Sequence, residues 1–128
     1  MSFTMKKDLA STYEQVLERV PDALKSEGFG VLTEIDVKKT LKDKLGVDFR
    51  KYKILGACNP ALAHEALSTT LDVGAMLPCN IVVYEGDNGR AVVVAIDPMQ
   101  TIAAGDARMV KLASTVREKL ARVLERLA

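Results

Sequence analysis

Apolar positions along the chain switch between two periods, and the switches mark its elements. Phe3, Met5 and Leu9 share one side of an alternating stretch, which predicts a first strand over 3–9. Ser11-Thr12-Tyr13-Glu14 has capping-box spacing, and Tyr13, Val16, Leu17, Val20 and Leu24 then recur at helical intervals. Pro21 predicts a kink or a restart in that helix, and Gly28 its end. Phe29, Val31, Thr33 and Ile35 alternate in a second strand. Asp36 then caps a short helix carrying Val37, Leu41 and Leu45, closed by Gly46.

After a polar linker, Tyr52 to Ala57 forms a third strand, and Asn59-Pro60 opens a third helix with Leu62, Ala63, Ala66 and Leu67 on one face. Asp72 and Gly74 break it. The clearest strands are Cys79 to Glu85 and Arg90 to Asp97, and Gly86-Asp87-Asn88-Gly89 between them dictates an antiparallel hairpin. Pro98 stops the second arm and a loop runs over 99–105. Asp106 caps a long last helix with Met109, Leu112, Ala113, Val116, Leu120, Val123, Leu124 and Leu127 inward.

The order is β-α-β-α-β-α-β-β-α, which predicts an α+β fold. A single domain over 1–128 would hold one mixed five-stranded sheet, its long helices sharing one face, with a C-terminal hairpin-plus-helix. Strands four and five are apolar on both sides (Ile81, Val82, Val83; Val92, Val93, Val94) and so need cover on both. The third helix or a second subunit could supply the second cover, and a homodimer is the expectation.

Composition narrows the function classes. A net charge of +1 gives no bulk attraction to nucleic acid, membranes or acidic partners. The basic residues of the last helix (Arg108, Lys111, Arg117, Lys119, Arg122, Arg126) are spaced like any solvated face, so no nucleic-acid partner is expected. No run reaches the length of a membrane span and no signal peptide is evident. Two cysteines in 128 residues are no disulfide framework, which points to a reducing cytoplasm.

Candidate chemistry gathers at two junctions, Cys58-Asn59-Pro60 and Pro78-Cys79-Asn80. Cys58 precedes a helix start, where the macrodipole favours a thiolate or a bound anion. Against this, free cysteines are commonly small buried hydrophobes, Asn59 is explained by capping alone, and Asn80 could satisfy loop backbone groups. His64 with Cys58 and Cys79 could give three ligands of a metal site, or a Cys–His catalytic pair, although zinc would want a fourth ligand. Gly28-Phe29-Gly30 precedes a strand instead of opening a helix, so it is no dinucleotide fingerprint.

The stretches Gly28-Phe-Gly-Val-Leu-Thr-Glu-Ile-Asp36, Leu45-Gly46 and Ile54-Leu-Gly-Ala-Cys-Asn-Pro60 resemble a known pattern, continued by Leu77-Pro-Cys-Asn80, Val83-Tyr-Glu85 and Ile96-Asp-Pro98. In that order they are similar to the small bacterial and archaeal family called domain of unknown function 302. The resemblance implies a compact α+β fold and homodimerisation, and no assigned activity. Its motif falls on Cys58, Asn59, Pro60, Pro78, Cys79 and Asn80, and His64 lies outside it. Three functional readings follow. The first is a homodimer binding a small anionic or metal-containing ligand at Cys58, Asn59, Pro60, Cys79 and Asn80. The second is a thiol-dependent enzyme with Cys58 as nucleophile, and the third a structural or interaction protein without a small-molecule site.

Overall fold

The computed structural model describes residues 2–102 and 106–128. Five strands, β1 (Thr4–Asp8), β2 (Gly30–Asp36), β3 (Tyr52–Cys58), β4 (Cys79–Glu85) and β5 (Ala91–Ile96), form one sheet in the order β1-β5-β4-β3-β2. Four helices accompany them: α1 (Tyr13–Lys25), α2 (Val37–Leu45), α3 (Pro60–Thr69) and α4 (Ala107–Arg126). Short 3-10 turns occupy Leu71–Met76 and Pro98–Gln100. The loop expected over 99–105 thus begins within a 3-10 turn, and its residues 103–105 lie outside the described residues.

Every neighbouring strand pair is antiparallel, so the expectation of a mixed sheet is corrected. Parallel neighbours need a crossover that returns the chain to the end where the first strand began. Asp36 ends β2 and is also the N-cap of α2, so the chain leaves and re-enters the sheet at one end and β3 runs back along β2. The connection through α3 does the same between β3 and β4. Only α1 makes a full crossover, and it joins strands at opposite edges of the sheet.

Local sequence accounts for the element ends. The capping box of α1 lies one residue later than its spacing suggested: Thr12 accepts from Gln15 N–H, and Gln15 returns the bond to Thr12 N–H. Helix α1 then runs through Pro21, which is exposed, while Val16, Val20 and Leu24 are fully buried beneath it. Losing one backbone bond on the solvent side is outweighed by that buried stripe. Gly28, at φ +84°, turns the chain out of the helix as Phe29 N–H bonds back to the Leu24 carbonyl. Asp106 caps α4 through Arg108 N–H, and every apolar residue assigned to its inner stripe is buried.

Helices α1 and α4 pack together over one face of the sheet, with α3 beside α4. Leu55, Ala57, Cys79, Ile81, Val83, Ala91, Val93 and Ala95 form the floor of this core. The other face carries Tyr52, Ile54, Val82, Tyr84, Val92 and Val94, with the Tyr52 and Tyr84 rings stacked at 5.5 Å. Helix α2 leans on β2 and β3 but buries none of its residues, and Leu45 stays 69% exposed.

Candidate functional site

Strand alternation decides how the two junctions are used. Cys79 pairs with Ala57 on the helix-covered face, so the next residue, Asn80, paired with Gly56, turns to the other face. The tripeptide Pro78-Cys79-Asn80 is therefore divided between two environments.

On the covered side, Cys58 and Cys79 line one cavity with Phe29, Leu62, Ile102 and Val116. Its volume is about 30 Å³ and its walls are almost wholly apolar, room for a water-sized guest and no more. Cys58 is half-buried and Cys79 buried, both as free thiols. Burial, and secondarily the neighbouring Cys58, push the Cys79 thiol up to about 11, so it stays protonated and unreactive at neutral pH.

Asn59 is fully occupied. Its Oδ1 accepts from Leu62 N–H at 3.3 Å, capping α3, and its Nδ2 donates to the Glu27 carbonyl at 3.3 Å. Glu27 in turn holds Arg122 of α4 at 2.9 Å. Gly28 is required here for a second reason, because a Cβ would sit 2.9 Å from Asn59 Nδ2. The α3 N-terminus has little left for an anion: Pro60 has no N–H, Asn59 takes the N–H of Leu62 through its side chain and that of Ala63 through its carbonyl, leaving Ala61. His64 is exposed and does not line the cavity, and among the described residues no three His, Cys, Asp or Glu side chains are grouped as a metal would need.

On the other side, Asn80 stands in a groove of about 420 Å³ with Ala75, Met76, Leu77, Pro78, Ile96, Gln100 and Thr101. Its side-chain amide is exposed and has no hydrogen-bond partner among the described residues. Gly56 makes the wall possible: a Cβ there would land on Thr33 Oγ1 and lie 2.7 Å from Pro78 Cγ. A groove of equal volume runs along α2, but its charges are spent on each other through Lys39–Asp43 and Lys42–Asp48.

Sequence reasoning reached both cysteines, both asparagines and Asp97 as a strand-end cap, and missed Gly56, the Arg117 partner of Asp97 and the groove. An uninterrupted apolar strand with one glycine is a signal of close approach that could have found Gly56. Asp97 is buried, capping Met99 N–H and holding Arg117 of α4 at 3.1 Å, and a lone Asp before Pro carries no mark of such a partner.

The family model for "Domain of unknown function DUF302" matches residues 5–127. The chain belongs to the DUF302 family. It is similar to the uncharacterized conserved protein DUF302 from Bacillus stearothermophilus, whose crystal structure it matches at TM-score 0.93 and 32% identity over 100% of both chains. No curated protein matches. The family name carries no activity, so the activity has to be argued from the geometry. Among the described residues no helix is long and apolar enough to cross a membrane.

Proposed function

We propose that this DUF302 chain is a binding domain that acts as a homodimer, in a reducing cytoplasm that keeps its thiols free, and that its small-molecule site is the Asn80 groove. The carrying observation is the Asn80 side-chain amide, exposed and without a partner among the described residues, in a groove of ligand size. The groove's volume of about 420 Å³ lies in the range of roughly 300–1,000 Å³ typical of ligand pockets. The cavity at Cys58 and Cys79, at about 30 Å³, lies far below it. Asn59 and Pro60 then serve by fixing the α3 junction, and Cys58 and Cys79 by filling the core beneath the groove.

The dimer reading rests on the part of the uncovered sheet face beyond the groove, around Ile54, Val82, Tyr84 and Val92. Five strands spaced about 4.8 Å apart and 5–7 residues long give a face of roughly 400–500 Å² before side-chain relief. Ile35 and Phe49 are exposed beside it and extend this contact toward the roughly 800 Å² per partner of a standard interface.

A fragment screen read by thermal shift on the wild type, Asn80→Ala and Cys58→Ala tests the site. Stabilising fragments are expected to lose their effect in Asn80→Ala and keep it in Cys58→Ala. Fragments that follow Cys58 instead, or turnover of a thioester that Cys58→Ala abolishes, would establish the thiol-enzyme reading.

A further inference from the structure

We infer that the ligand of the Asn80 groove is a small neutral molecule presenting a planar amide or lactam edge. The inference rests on the site proposed above and adds its chemistry. In a chain with 27% charged residues, no charged side chain lines this groove among the described residues. A phosphate or carboxylate brought here would meet no cation to replace its lost hydration, and an ammonium group no carboxylate. Asn80 offers one acceptor and two donors in a plane, the complement of another amide's N–H and C=O side by side. Thr101 adds a hydroxyl that can donate or accept. Gln100 brings a second side-chain amide to the rim, and the apolar walls, the Pro78 ring, Leu77, Ile96 and the Met76 side chain, suit the flat faces of a ring.

Register places the amide where such an edge can reach it. Asn80 is paired with Gly56, so no side chain rises on the adjacent strand to cover it from that side. Thr33, one strand further, and Pro78 close over the Gly56 backbone and leave the Asn80 end open. The floor is strand and the rim is the two 3-10 turns, so the polar group stands on rigid backbone.

The test titrates ¹⁵N-labelled protein with benzamide, its charged isostere benzoate, and inorganic phosphate. Benzamide is expected to shift the Asn80 side-chain amide together with Met76 and Thr101. Benzoate should bind at least tenfold more weakly, and phosphate should leave these signals in place. Asn80→Leu, which keeps the apolar wall, should weaken benzamide about tenfold. If benzoate or phosphate shifts the groove as strongly as benzamide, the neutral-amide assignment is overturned while the groove stands as a site. If none of the three perturbs the groove at 10 mM or so, a concentration at which even weak fragments bind, the assignment and the groove itself both fall.

Discussion

Gly56 has a single-atom constraint with consequences on both sides of the sheet. Thr33 and Pro78 occupy the space a side chain would need, and Pro78 walls both the apolar cavity and the Asn80 groove. Gly56→Ala is expected to cost about 1–3 kcal/mol in urea unfolding, as overpacked sites do. Gly30→Ala is the control: its Cβ would meet nothing within 4 Å and its φ is not positive, so it should fall within about 1 kcal/mol of the wild type. Cys79 makes a second prediction, in pH. Its pKa is raised from 9.0 to about 11, so the folded state holds a proton between those values that the unfolded state has released. Its contribution is complete below pH 9 and is lost as pH rises through 11, on the order of 2–3 kcal/mol in all. Subtracting the stability–pH curve of Cys79→Ala from that of the wild type should reveal this decline, and a flat difference would contradict it.

At the scale of elements, the junctions are joined to one another. Asn59 links the start of α3 to the end of α1, and Glu27 links that end to α4 through Arg122. Asn59→Ala should cost about 1–2 kcal/mol by thermal unfolding, from the lost cap and the lost tie together. Asn59→Asp keeps an acceptor for Leu62 N–H but has no donor for the Glu27 carbonyl, so it should recover only part of that loss. This linkage explains what the sequence could and could not reveal. Caps and stripes are local, so the order of elements, the Asp36, Asn59 and Asp106 caps and the whole inner face of α4 were legible. The partners of Asp97 and Glu27 are 20 and 95 residues away, and no local pattern points to them. Apart from the β4–β5 hairpin, which its turn fixed, strand directions were illegible for the same reason, since periodicity records which face a residue takes and not which strand lies beside it. The candidate site was legible as a pair of junctions, whereas its division by the alternation at Cys79 and Asn80 required the register.

For the whole molecule, the question is what meets the second face of the sheet. Val82 lies near its centre, paired with Ile54 on one side and Val94 on the other. Val82→Lys should convert a dimer to a monomer in sedimentation velocity while leaving the far-ultraviolet dichroism unchanged. A wild type that sediments as a monomer at all concentrations would overturn the dimer.

The sheet order also sets a timetable for synthesis. Strands β3, β4 and β5 each pair with the strand before them, so each can dock soon after it emerges from the ribosome. Strand β1 cannot, because Thr4 pairs with Ile96, about ninety residues later. At about 5–20 residues per second, that leaves the first strand waiting for roughly 5–18 s with the apolar stripe of α1 attached to it. Lys6 and Lys7 on this strand keep an unpaired edge soluble during that interval. The nascent chain completes its sheet only when its earliest segment is claimed by its last strand.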